Sequence, residues 1–346
     1  MRAATRRSLP SLAFSIDNAI MGQKEKVQRS WDFKQGYGVA CPLLVIMALC
    51  SAGTFTASSE ASSPRQTLTI CGSAIDVSFT GTTAGDSRED LLNWIHRAAS
   101  AVCVYYGKFP VSHLNLDVHA RGGSGVHHGV TYPDDDGIIT ISVGAQTTLV
   151  QLNDDWMLTH EMIHLAFPSM ADHHHWIEEG ISVYVEPIAR VQAGQLKAEE
   201  MWKEIVRDMP NGEPGRGDQG LDHTHTWGRT YWGGAMFCLV ADIRIRQQTH
   251  NEKGLQDALR SILKAGGNIN QNWQIDRAFA AGDKATGTTV LEDLYRDMRD
   301  KPSLVDLVGL WKELGVQPKS DGSIEFVNSA KLAKVREAIT AVSAVR

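Results

Sequence analysis

Apolar residues recur at two spacings along this chain, and the change from one to the other orders its elements. Residues 67–71 and 74–80 predict short strands, and residues 114–119 and 138–143 alternate at period two. Between the two pairs, residues 87–106 place Leu91, Leu92, Ile95, Ala98, Ala99 and Val102 on one side of a helix. From about Asn153 the spacing is helical almost throughout. Asn153 and Asp154 can cap a helix that must end before Pro168, and a second helix aligns Trp176, Glu179 and Val183 on one stripe. Further helices are expected at 195–209, from the His223 region to about 246, and at 255–264, 273–281, 290–298 and 304–314, before a strand-like stretch and a last amphipathic helix. Strands followed by helices predict an α+β fold: a small mixed sheet, then a mainly helical lobe, with a cleft between two lobes. The boundaries fall at 1–57 for an N-terminal extension, 58–192 for the sheet lobe and 193–346 for the helical lobe and tail.

The extension has its own pattern. Residues 1–37 carry Arg2, Arg6, Arg7, Lys24, Lys26 and Arg29 without apolar periodicity, and residues 39–50 are almost wholly apolar. A basic lead, a short apolar core and a small-residue exit describe an export signal, with cleavage near Ala52 or Ala57. Met21 offers a second start with a shorter lead. An uncleaved anchor at 39–57 is the competing reading, although the apolar run is short of the ~20 residues a spanning helix needs.

Composition narrows the partners. With 34 Lys and Arg against 40 Asp and Glu, the net charge is −6. No basic patch is interleaved with aromatics, so a nucleic-acid partner is not expected. Of the 5 cysteines, Cys71, Cys103 and Cys238 follow the apolar run. If the chain is exported, Cys71 pairs with Cys103; the alternative is three buried thiols. Nothing in the sequence fixes the oligomeric state.

The chemistry centres on His160-Glu161-Met162-Ile163-His164. On a helix, residues four apart share a face, so both imidazoles can meet one cation. Glu161 lies about 100° round the helix, beside that cation, where it can take a proton from a polarised water. A hydrolytic zinc site needs a third ligand. The metzincin spacing would require histidine and glycine where Met170 and Phe167 stand. Glu179, fifteen residues past His164, can close a two-histidine, one-glutamate site from the next helix. The run His173, His174, His175 reads as loop and helix-start residues, because successive side chains point in different directions; the site's rim is the other place one of them can occupy.

The segment Trp176-Ile177-Glu178-Glu179-Gly180-Ile181-Ser182-Val183-Tyr184-Val185-Glu186 resembles the W-x-x-E-G-x-x-x-Y-x-E motif of gluzincin zinc metallopeptidases of the aminopeptidase-N and glycyl-aminopeptidase kind. That resemblance implies a thermolysin-like catalytic domain, one zinc ion held by His160, His164 and Glu179, and Glu161 as general base. It selects Glu179 over Glu178. Glu186 is expected to steady a liganding histidine. Tyr231-Trp232-Gly233-Gly234 is similar to the Y-E-K-G helix start whose tyrosine stabilises the oxyanion, which makes Tyr231 the second catalytic candidate. His225 is a further candidate by position. Gly125-Val126-His127-His128 looks like the G-L-E-H edge-strand motif, with His127 where the family places the glutamate that holds a substrate's free amine. An imidazole cannot replace that anion, which tilts the reading from N-terminal trimming toward internal cleavage. The same glycine-rich run also reads as a simple turn. The expectation is an exported, secreted or periplasmic zinc peptidase acting on peptides or proteins, and the alternative is an exported zinc-binding protein of the same fold with little turnover.

Overall fold

The alternating runs assemble into one mixed sheet. A computed structural model describes residues 65–81, 88–134 and 136–342. The strands are β1 (Gln66–Ile70), β2 (Ser73–Thr80), β3 (His113–Arg121), β4 (Val126–Tyr132) and β5 (Ile138–Gly144), in the order β1-β2-β3-β5-β4. The β2–β3 and β3–β5 pairs are parallel; β1 and β4 run antiparallel to their neighbours at the two edges. Helix α1 (Arg88–Tyr106) makes the crossover that a parallel β2–β3 pair requires. Its buried residues, among them Leu91, Trp94, Ile95 and Val102, join a core with Ile75, Val77, Leu114, Leu116, Ile139 and Ile141. A disulfide joins Cys71, in the turn after β1, to Cys103 of α1, while Cys238 is a buried free thiol.

Strand β4 falls where the glycine-rich run left a turn or an edge strand open. Gly123 and Gly125, both at positive φ, make the turn, and Val126, Val130, Thr131 and Tyr132 carry the β propensity. The register slips between Val126 and His128, so His127 is the extra residue of a β-bulge.

After β5 come α2 (Leu149–Asp154), α3 (Met157–His164), α4 (His175–Gln192), α5 (Ala198–Asp208), α6 (Gly234–Gln248), α7 (Leu255–Lys264), α8 (Ile275–Thr286), α9 (Val290–Met298), α10 (Leu307–Leu314) and α11 (Ala333–Thr340), with a β6 (Val316–Pro318) and β7 (Ile324–Phe326) hairpin before the last. The start of the metal helix differs from expectation. The helix that carries His160 begins at Met157, and neither Asn153 nor Asp154 caps it: both belong to α2, which has its own capping box at Thr148 and Gln151. Asp155 does the capping, accepting from the Met157 and Leu158 amides at 3.1 Å each, and the Trp94 indole holds it at 2.9 Å.

Helices α4 and α6 cross with their backbones in contact. A Cβ on Gly180 would collide with the backbone of Gly234, and one on Gly234 with the Trp176 carbonyl. The glycine that follows Glu179 in sequence is therefore what lets α6, and the turn that leads into it, approach Glu179. The apolar run at 39–50, with the proposed signal, the competing anchor at 39–57 and the start at Met21, lies outside the described residues. Among the described residues no helix is long and apolar enough to cross a membrane.

Candidate metal centre

Helix α3 presents His160 and His164 from successive turns, and α4 presents Glu179 toward them. The Nε2 atoms of the two histidines are 3.2 Å apart; Glu179 Oε2 lies 3.2 Å from His160 Nε2 and 3.6 Å from His164 Nε2. Three acceptor-capable atoms thus converge in a buried pocket of charge. Their spacings match the edge of a tetrahedron, which is about 3.3 Å for zinc bonds of 2.0–2.1 Å. Burial opposes charge on His164, but Glu179 outweighs it and raises the histidine's pKa. Burial likewise opposes charge on Glu179, and His164 and His160 outweigh it, holding the carboxylate well below its usual range. The donor set therefore calls for positive charge at its centre, and these residues fit a zinc ion.

Glu161, next to His160 on α3, is held against β4. Thr131 Oγ1 stands 2.7 Å from Glu161 Oε2 and 2.9 Å from its backbone carbonyl. A Cβ at Gly129 would come within 2.6 Å of Glu161 Cγ. One carboxylate oxygen is tethered, and only glycine on the edge strand leaves the side chain room.

Tyr231 lies on a π-helical turn, Gly228–Gly233, that leads into α6. Single π turns inside helices are frequent at functional sites. Burial, then the charges of Glu179 and Glu161, push the phenol's pKa far up, so it stays a donor. Its ring stacks on Trp227 at 6.1 Å, and the turn is fixed from beneath by Arg229, which pairs with Asp218 at 2.7 Å and donates to the Gly212 carbonyl.

The structure brings His160, His164, Glu179, Glu161 and Tyr231 together. It does not do so for the outer candidates. Glu186 pairs with Arg190 at 3.2 Å instead of with a histidine, and among the described residues His160 Nδ1 has no hydrogen-bond partner. Seven residues past Glu179, Glu186 lies two turns further along α4, where Arg190 one turn on is its natural partner. Burial raises the Glu186 pKa to about 8 against the pull of Arg190. His127 is exposed at the bulge and His128 half-buried; the β4 residues that touch Glu161 are Gly129 and Thr131. His225 is exposed, and among the described residues no hydrogen bond or ion pair ties it to the centre.

Gly129 and Thr131 were not legible as site residues; of the three successive histidines, for one of which the rim was left open, His175 is the one that reaches the centre. His175, the first residue of α4, sets Nε2 at 3.2 Å from Glu179 Oε1 and Nδ1 at 3.2 Å from Glu178 Oε2. Its place four residues before Glu179 on a helix is the signal that could have found it. His173 and His174 form another group, with Asp222. There Asp222 accepts from Trp176 Nε1 at 2.7 Å and Tyr295 at 2.8 Å, and His174 lies 2.8 Å from the same tyrosine hydroxyl.

No family model matches the chain, and no curated protein matches it in sequence. Solved structures do resemble it. An aminopeptidase N family protein from Idiomarina loihiensis superposes with a TM-score of 0.55 at 13% identity, over 73% of this chain and 49% of that one. An M1 zinc metallopeptidase from Deinococcus radiodurans gives 0.46 at 12%, over 71% and 52%, and a two-domain M1 zinc metallopeptidase with bound L-tryptophan gives 0.45 at 13%, over 71% and 52%. The chain spans about half the length of these structures. The first of them supports an α+β fold of the M1 peptidase type, with a small mixed sheet and many helices.

Proposed function

We propose that this chain is a zinc-dependent peptidase that hydrolyses peptide bonds, with internal cleavage slightly favoured over N-terminal trimming. The observation that carries the proposal is the convergence of His160, His164 and Glu179 at tetrahedral spacing, with the Glu161 carboxylate tethered beside them. A zinc ion held by those three side chains supplies a Lewis acid that acidifies water and polarises a carbonyl. Glu161, held by Thr131 through one oxygen, takes a proton with the other and returns one to the leaving amine. Tyr231 remains protonated and donates to the oxygen on which negative charge builds, a contact typically worth about 10²- to 10³-fold in turnover.

Strand β4 supports a peptide as the substrate. It is an edge strand of the sheet, and it carries the two residues that hold Glu161, so an extended peptide added along it would run past the general base. No Asp or Glu occurs among Val126–Tyr132, and His127 stands where the resembling aminopeptidases place the amine-binding glutamate. That favours substrates without a free N-terminus at the site. Peptides or proteins are the partners, nucleic acid is not, and export through the 39–57 run accords with the Cys71–Cys103 disulfide. The second reading, an exported zinc-binding protein with little turnover, leaves Glu161 and its tether without a use.

The test is digestion of a peptide library, half of it N-terminally blocked, by the zinc-loaded protein and by Glu161→Gln. Cleavage of blocked peptides by the unaltered protein alone supports the proposal. Cleavage restricted to free N-termini overturns the internal-cutting preference, and zinc retention without cleavage by either protein favours the binding-protein reading.

A further inference from the structure

We propose that His175 is a positioning residue for Glu179: it holds the carboxylate oxygen that faces away from the two histidines, so that Glu179 meets the metal through one oxygen only. The inference rests on the zinc reading and goes beyond it, because nothing in the motif that the chain resembles provides for this residue.

The two oxygens of Glu179 have different neighbours. Oε2 faces His160 Nε2 at 3.2 Å and His164 Nε2 at 3.6 Å; Oε1 faces His175 Nε2 at 3.2 Å. A carboxylate left to itself beside a divalent cation can turn to offer both oxygens. A donor on the outer oxygen opposes that turn and fixes the plane of the group. His175 is itself oriented: Nδ1 lies 3.2 Å from Glu178 Oε2, and the other oxygen of Glu178 accepts the Met170 amide at 3.2 Å. The chain of contacts therefore runs from the backbone after Pro168, through Glu178 and His175, to the buried ligand. It joins the loop that follows α3 to the first turn of α4, the two elements whose relative placement sets the triangle. Helix geometry makes this possible, because residues 175, 178 and 179 stand at i, i+3 and i+4. It also assigns a role to Glu178, the neighbour that the motif passes over.

Zinc affinity measured by competition with a chromophoric chelator tests the proposal, along with the visible spectrum of the cobalt-substituted protein. His175→Leu is expected to weaken zinc binding by about 10- to 100-fold and to alter the cobalt spectrum as Glu179 turns to offer both oxygens. His175→Gln places an amide N–H where Nε2 stood and is expected to restore most of the affinity. His175→Asn reaches only the Nδ1 position and is expected to behave like His175→Leu. Thermal unfolding of the metal-free variants separates this from a folding defect: they should melt alike while their zinc affinities differ. Equal zinc affinity and an unchanged cobalt spectrum in His175→Leu overturn the proposal, as does equal rescue by Asn and Gln, which would place the role at Glu178 and the helix start. A loss as deep as that of His164→Ala overturns it too, making His175 a ligand. Absence of zinc binding by the unaltered protein overturns the metal reading itself, which is a distinct result.

Discussion

Two groups of two histidines and one carboxylate lie within the same stretch of this chain: His160, His164 and Glu179, and His173, His174 and Asp222. Residue types alone do not tell them apart, but their hydrogen bonding does. In the first group the two imidazole Nε2 atoms and a carboxylate oxygen face one another at 3.2 to 3.6 Å, and acceptors so arranged repel unless a cation or protons lie between them. In the second, Trp176 and Tyr295 supply N–H and O–H donors to Asp222, and His174 shares the tyrosine hydroxyl. That carboxylate is satisfied without a metal. The difference teaches that a donor set signals a metal through what its members lack, and that aromatic donors packed against a carboxylate turn the same residues into a fold-holding network. The network's place accords with this, since Trp176 packs on Phe237 and Tyr295 on Phe279 in the core beneath α4.

The sharpest way to break this contrast is to count zinc. The unaltered protein is expected to bind one ion per chain by equilibrium dialysis, and His164→Ala to lose it, with an affinity drop beyond the about 100-fold that outer contacts are worth. His173→Ala should leave stoichiometry and affinity unchanged. Chelation should lower the unfolding temperature of the unaltered protein and of His173→Ala, because an ion bound only to the folded state stabilises it, and should not shift that of His164→Ala. Loss of zinc from His173→Ala would collapse the distinction between the two groups.

Asp222→Asn sharpens it from the other side. Replacing a buried carboxylate that accepts two hydrogen bonds should cost about 2–3 kcal/mol in urea unfolding while zinc affinity stays level. The pH dependence has a definite sign. Burial works to raise the Asp222 pKa, but the contacts with His174, Trp176 and Tyr295 outweigh it and lower the value from 3.8. The carboxylate's contribution is therefore complete above the unfolded pKa and is lost as pH falls through the lower folded one. The stability gap between the unaltered protein and Asp222→Asn should be full at pH 6 and shrink in acid below about pH 4. A gap constant with pH would mean that the asparagine's shape, not its charge, is responsible.

Much of this was legible in the chain itself, for a physical reason. Two histidines one turn apart need only a helix to meet, so His160 and His164 are local facts. Glu179 became readable through the motif that its segment resembles, and the structure adds that the glycine after it permits a close crossing with Gly234. Strands β1, β2, β3 and β5 follow from the apolar pattern of the chain, whereas β4 hides behind glycines and a bulge that disturbs the period of two at His127. The pairing of Glu186 with Arg190, one turn on along α4, is a packing outcome that no motif records. Asp155 displaced Asn153 and Asp154 as the cap because α2 ends just before it and Trp94, from a helix some sixty residues earlier, holds its carboxylate. Thr131 was out of reach of sequence reasoning for the same cause: its partner Glu161 is thirty residues away, across a sheet edge.

Thr131 yields the smallest effect and the most selective one. Its hydroxyl has a single proton to share between the Glu161 carboxylate at 2.7 Å and the backbone carbonyl at 2.9 Å. Thr131→Val keeps the β-branched shape that suits a strand and deletes only that donor. Glu161 then loses its tether, and the position from which it accepts a proton is no longer fixed. Turnover is expected to fall about 10-fold, equivalent to about 1.4 kcal/mol of barrier, with KM and zinc affinity unchanged, because Thr131 touches no member of the ligand triangle. Thr131→Ser, which retains the hydroxyl, should recover most of the rate. A parallel loss of zinc in Thr131→Val would show that the edge strand shapes the ligand triangle as well as the base, and that the two parts of the centre are built as one.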